Sequence, residues 1–144
     1  MAATNFTEGY LAALLARASE RISAEFHAVV RQQGLAVAEW RILASLYDVE
    51  GLPVGRLAEI VLAPQSTVTR QLDRMEAKGL VTREAATDDR RVVLARITPE
   101  GLALARTLVE RARAHEREVL APFGIEHGED LKQMLKQLIE APRR

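Results

Sequence analysis

Two groups of polar side chains in this chain are spaced for work on a charged, hydrogen-bonding partner. One is Gln65, Ser66, Thr67, Thr69, Arg70 and Arg74; the other is the run Asp88-Asp89-Arg90-Arg91. In the first, Val68, Leu72 and Met75 recur at helical spacing and form one apolar stripe. At about 100° per residue, Ser66, Arg70, Asp73 and Arg74 lie opposite that stripe, with Gln65, Thr67 and Thr69 flanking it. Short hydrogen-bonding side chains at a helix start, with an arginine one turn on, suit the base edges and phosphates of a duplex major groove. A tight turn carrying two arginines suits the neighbouring minor groove, where a narrow A·T-rich stretch concentrates negative potential. The plainer explanation of the first group is an amphipathic surface helix, whose outer face is polar in any case.

The elements that must hold these groups can be read on either side. Pro64 fits a first helical position, and Lys78 and Gly79 fit the last turn and the left-handed residue beyond it. Val54 to Leu62 reads as a short helix whose Leu57, Ile60 and Val61 pack on Val68 and Leu72. Leu80 to Arg83 and Val92 to Ile97 read as strands by their β-branched content, although the second alternates imperfectly. Ala86 to Arg91 between them is polar and turn-forming. Asp89 is placed to orient Arg91 by a charge-assisted hydrogen bond. Helix, turn, helix, strand, basic turn, strand is the order of a winged helix-turn-helix, with the second helix as the reader.

These segments carry a family resemblance. Gln65-Ser66-Thr67-Val68-Thr69-Arg70, Leu72-Asp73-Arg74-Met75-Glu76-Ala77-Lys78-Gly79-Leu80-Val81 and Glu39-Trp40-Arg41-Ile42-Leu43 resemble a MarR-type (multiple antibiotic resistance regulator) transcription factor. Asp89-x-Arg91, followed after five residues by Ile97-Thr98, is similar to that family's Asp-x-Arg…Leu-Thr wing signature, with Ile in place of Leu. The resemblance implies a homodimeric, usually repressing, ligand-responsive protein that binds a double-stranded operator. It also implies a cleft for a small, often aromatic and anionic effector. Phe26, His27, Trp40 and Arg41 are the candidates to line it: the rings to stack on the ligand, Arg41 or His27 to pair with a carboxylate. The competing reading makes Trp40 core and Arg41 a structural ion pair. Two positions depart from the family pattern. Ala36 and Pro53 stand where a capping hydroxyl is common, each at a cost of up to about 1 kcal/mol.

Composition narrows the choice. The chain has 144 residues and a formal net charge of zero, unlike a general nucleic-acid coating protein. Charge is uneven, however: residues 63–98 hold seven Lys/Arg against five Asp/Glu. Aromatics at 4% are too few for the stacking platforms of single-strand binders. The lack of cysteine removes disulfides, Cys-based zinc sites and thiol sensing. No signal peptide or membrane-spanning apolar run is legible, so a cytoplasmic protein is expected. No phosphate loop, nucleophile elbow or metal motif appears, so no enzyme, cofactor or metal is expected. His27, His115 and His127 are far apart in sequence and form no His-x3-His pair.

The ends complete the expected architecture: mainly α with a small two- or three-stranded wing, a winged helix-turn-helix plus a helical dimerisation region. Residues 8–33 read as one long helix with Leu11, Leu14, Leu15, Ala18, Ile22, Phe26, Val29 and Val30 on a broad apolar face, closed by Gly34. Thr98, Pro99 and Glu100 start another, which Pro122-Phe123-Gly124 breaks before a last helix. Residues 1–33 and 99–144 are assigned to dimerisation and 34–98 to reading DNA, in one compact domain overall. The alternatives are a helical bundle that closes on itself as a monomer, and a protein–protein adaptor whose winged helix does not bind DNA.

Overall fold

The computed structural model describes residues 5–143. The chain divides into two compact units after Glu110. The first contains helices α1 (Phe6–Gly9), α2 (Leu11–Gln32), α3 (Val37–Leu46), α4 (Val54–Val61) and α5 (Gln65–Ala77), strands β1 (Leu52–Pro53), β2 (Val81–Ala85) and β3 (Val93–Ile97), and the start of α6 (Pro99–Leu120). The expected single helix over 8–33 is interrupted at Tyr10, whose backbone is extended (φ −82°, ψ 121°). Gly9 just before it weakens the helix there.

The sheet is antiparallel, in the order β1-β3-β2. β2 and β3 pair in the register Val81↔Ile97, Arg83↔Ala95, Ala85↔Val93, and β1 adds Leu52↔Ala95 and Pro53↔Leu94. Pro53 thus serves on an edge strand, where a missing N–H costs no ladder bond. β2 begins one residue later than the sequence pattern places it, because Leu80 belongs to the end of α5. Its N–H donates to the Met75 carbonyl (2.9 Å) around Gly79, whose φ is 76°.

Three helix ends also differ from expectation for local reasons. Pro64 has extended backbone (φ −59°, ψ 145°) and stands just outside α5 rather than at its first position. Leu62 does not extend α4 but closes it in the left-handed conformation (φ 57°, ψ 45°), with the Ala63 N–H donating to the Ala58 carbonyl. Ala36 has no capping hydroxyl, yet its N–H is satisfied by the Glu39 carboxylate at 2.9 Å, reaching back from the first turn of α3.

The core lies where α3, α4, α5 and the sheet meet. Ile42, Leu43, Leu46, Leu57, Val68, Leu72, Met75 and Val81 are fully buried there. In α4 the inward positions are Val54, Leu57 and Ala58. Ile60, expected to pack on α5, is instead 44% exposed. It lies off the stripe that a 3.6-residue period draws through 54, 57 and 58. Inside this core Glu39 is, among the described residues, a lone buried acid, 3% exposed, and Lys78 Nζ reaches it at 2.8 and 3.0 Å.

Thr98 joins the reader helix to α6. Its N–H donates to the Leu80 carbonyl (3.0 Å), its hydroxyl donates to the Gly79 carbonyl (2.6 Å), and the same oxygen accepts from the Gly101 N–H (3.0 Å). The approach leaves no room at Gly101, where a Cβ would stand 2.1 Å from the Leu80 carbonyl oxygen.

The second unit comprises the remainder of α6, a 3₁₀ turn at Ala121–Phe123, and α7 (Ile125–Glu140). The break falls at Pro122-Phe123-Gly124 as the sequence indicates, with Gly124 at φ 83°. Gly128 is buried against Leu120, and Lys132 pairs with Glu116 at 2.7 Å. Phe123, Ile125, Met134 and Ile139 are left exposed.

Gly101 sits inside a helix, where alanine ordinarily gains about 0.5–1 kcal/mol over glycine. Here the backbone overlap dominates. Gly101→Ala is expected to destabilise the protein by about 2 kcal/mol or more, read as a lower urea midpoint at an unchanged m-value.

Candidate nucleic-acid interface

The solvent side of α5 carries most of the first polar group. Gln65, Ser66, Thr69, Arg70 and Arg74 are exposed. Thr67 is not placed with them: it is half-buried and lines a small cavity with Ala38 and Arg41 of α3. Thr69 returns its hydroxyl hydrogen to the Gln65 carbonyl (3.0 Å), which leaves its oxygen free to accept. Among the described residues neither Arg70 nor Arg74 has an ion-pair partner, although Asp73 and Glu76 share this helix.

The reason is Arg83. From β2 its guanidinium donates to Asp73 at 2.5 Å and to Glu76 at 2.7 Å, carboxylates one turn apart on α5. It is itself mostly covered, and these hydrogen bonds, Glu76's first, push its pKa further up, so its charge is permanent. Arg83 thereby engages both acids of the reader helix, offsetting part of their charge, and fastens that helix to the wing. The sequence reading did not single it out. The available clue was two carboxylates at i, i+3 on the polar face, followed by an arginine seven residues later in a strand.

At the wing tip, Asp89 Oδ1 accepts from the Arg91 backbone N–H (3.0 Å) and from its Nε (3.2 Å). The Val92 N–H donates to the Asp89 carbonyl (3.1 Å), and the Ala86 N–H to the Val92 carbonyl (2.9 Å). The Arg91 side chain is nevertheless 92% exposed. An ion pair in water at that exposure adds little stability. Its effect is to aim a cation outward. Arg90 is exposed beside it. Gln65 and Thr69 of α5, Gly55 of α4, and Arg83 and Arg91 border one groove of about 330 Å³. Reader helix and wing therefore line a common channel whose charged members are cations.

The four candidate ligand residues collect where α2 and α3 cross. Phe26 is buried and its ring lies 5.4 Å from that of Trp40 at a 57° tilt. Packing accounts for that contact without a ligand. His27 is half-buried, and its pKa lies below the ordinary 6.5 because burial, then Arg41, then Arg31 disfavour the imidazolium, against a smaller opposing effect of Glu20. Arg41 is exposed. A half-buried, mostly neutral imidazole beside two guanidiniums can accept an anion once the anion offsets that repulsion.

Removing the Arg83 clamp leaves Asp73 and Glu76 facing outward unpaired. Arg83→Ala is expected to cost about 1 kcal/mol, since both carboxylates stay exposed to water and screen the pair. Amide exchange should accelerate in β2, β3 and the 86–91 turn, and less in α3. Uniform protection across the first unit would show that Arg83 does not hold the wing.

Comparison with known proteins bears on the family and the fold. The sequence profile described as "MarR family" matches residues 35–93. The homoprotocatechuate degradative operon repressor of Escherichia coli is 30% identical over 87% of this chain and 84% of its own length. The crystal structure of a MarR family transcriptional regulator from Silicibacter pomeroyi DSS-3 superposes with a TM-score of 0.84 at 45% identity, covering 95% of this chain and 98% of that one. The structure of NadR in complex with 4-hydroxyphenylacetate gives a TM-score of 0.87 at 25% identity, covering 96% and 99%. The fold thus has counterparts in chains of known class, and this protein belongs to the MarR family of transcriptional regulators.

Proposed function

We propose that the chain is a cytoplasmic homodimeric repressor that binds an inverted-repeat operator and is released from it by a small aromatic acid. The observation that carries the DNA reading is the division of charge in the first unit. Arg83 occupies the acids of the reader helix, while Arg70, Arg74 and the outward-aimed Arg91 keep their charge available. In this reading residues 34–98 read DNA and residues 1–33 and 99–144 assemble the dimer. Exposed Phe6, Leu11 and Leu14 near the start of the chain, and Met134, Leu138 and Ile139 on α7, support the assembly role. A two-fold pair is the commonest way to cover such faces.

Arg70 is the candidate for base contact, with Gln65, Ser66, Thr69 and Arg74 positioning the helix on bases and phosphates. Thr67, set back from the surface, orients its start. Arg91 enters the minor groove, Asp89 holds it, and Arg90 binds phosphate. Footprinting should give a two-fold symmetric site with half-site centres roughly 10 bp apart. Arg70→Ala should cost about 1–3 kcal/mol and relax preference within the half-site. Arg91→Ala should relax preference at the A·T-rich flanks. A single unsymmetrical footprint, or equal losses on all sequences, would refute the assignment.

The effector reading rests on Phe26, His27, Trp40 and Arg41 sharing one crossing, with Arg41 exposed there. It is supported by a relative named for homoprotocatechuate degradation and a structural neighbour that holds 4-hydroxyphenylacetate. A ligand releases the operator only if it prefers a conformation whose reading heads do not match the site. Arg41→Ala should therefore blunt release by aromatic acids more than it weakens ligand-free operator binding. Titration of the DNA-bound protein measures both, and equal release by wild type and variant would remove Arg41 from the site.

A further inference from the structure

Behind the reader helix lies a cavity of about 50 Å³, closed by α3, the turn after α4 and the inner flank of α5. Ala38, Ile42 and Val68 make its apolar wall; Arg41, Thr67 and Gln71 bring polar groups to it. The Gln71 Oε1 atom is shut off from solvent and receives no hydrogen bond from any described residue. Buried amide oxygens are paired as a rule, since leaving one unpaired forfeits its hydration without return. The space matches a hydroxyl, an N–H or a water molecule, and is too small for an aromatic ring. Its charged wall residue, Arg41, is the one to which the effector reading gives the carboxylate.

We infer that Gln71 is an effector-sensing residue on the reader helix itself. It accepts a hydrogen bond from a hydroxyl or N–H of the same ligand whose carboxylate pairs with Arg41. The inference rests on the effector reading above and makes it narrower: the ligand is an acid carrying a second, uncharged donor, with its ring outside the cavity and only the donor inside. Gln71 directly follows Arg70, so a ligand that draws on this amide pulls on the segment assigned to base contact. No relay through other elements is needed. The ligand-free protein keeps an unpaired acceptor there, and an acid without the donor leaves it unpaired. Sites built to hydrogen-bond a hydroxyl reject analogues that lack one far more strongly than apolar pockets reject a missing methylene.

Matched acid pairs test this: 4-hydroxyphenylacetate against phenylacetate, and 3- and 4-hydroxybenzoate against benzoate. Each is titrated into wild type, Gln71→Met (close in volume, without an acceptor) and Gln71→Leu. Release from the operator is one readout. Calorimetric binding to the DNA-free protein is the other, and survives any loss of operator affinity in the variants. For at least one pair, wild type should favour the hydroxylated acid at least tenfold, and the ratio should fall towards one in Gln71→Met through weaker binding of the hydroxylated member. An unchanged ratio in both variants overturns the inference and leaves Gln71 with a structural role only. A wild type that binds both members of every pair equally also overturns it, while sparing the effector reading. Failure of every acid to bind overturns that reading and this one together. Failure to bind any operator overturns the DNA reading, and the calorimetry still decides the role of Gln71.

Discussion

A single buried carboxylate carries much of the geometry of the reading unit. Glu39 lies in the first turn of α3 and accepts from the Ala36 N–H and from Lys78 Nζ. Lys78 closes α5. An acid buried to this degree is tolerable only when its lone pairs are taken and its charge is matched. The requirement therefore fixes two distances at once, from the start of α3 to its own preceding loop and from α3 to the far end of the reader helix. Apolar packing among Ile42, Leu72 and Met75 supplies the bulk of the burial. The ion pair adds a directional contact to that packing.

The wing is set by a second layer of polar contacts of the same kind. Thr98 binds the carbonyls that end α5 and the N–H that starts α6, while Arg83 binds two acids on the outer flank of α5. A helix start, a helix end and a strand are held within one hydrogen-bond length of each other, and Gly101 is the residue that permits the approach. Arg70, Arg74, Arg90 and Arg91 stand on this frame as long, solvated cations. The absence of net charge fits this placement, since general electrostatic attraction to DNA would then be weak and local contacts decide.

Leu62 marks where the frame is strained. It is 91% exposed and left-handed, a conformation that costs an L-residue with a bulky side chain about 1–2 kcal/mol. The bend brings α4 and α5 into a helix-turn-helix with only three residues between them, and glycine or asparagine would make it with less strain.

The amino-acid sequence determined the element order, the helix breaks at Gly34, Gly79 and Pro122-Phe123-Gly124, the wing turn with Asp89 against Arg91, and the polar outer face of α5. All of these follow from local rules: periodicity, turn chemistry and capping act over a few residues and leave their mark in adjacent letters. The tertiary structure alone decided that β1 joins the sheet, that Ile60 turns outward while Thr67 turns inward, and that Glu39 meets Lys78 across 39 positions. It also decided that Arg83 belongs to Asp73 and Glu76 and that Gln71 keeps an unpaired oxygen behind the reader helix. These depend on which surfaces meet when separate elements pack. A charged or polar letter does not reveal whether its partner will be water or a residue brought close by the fold.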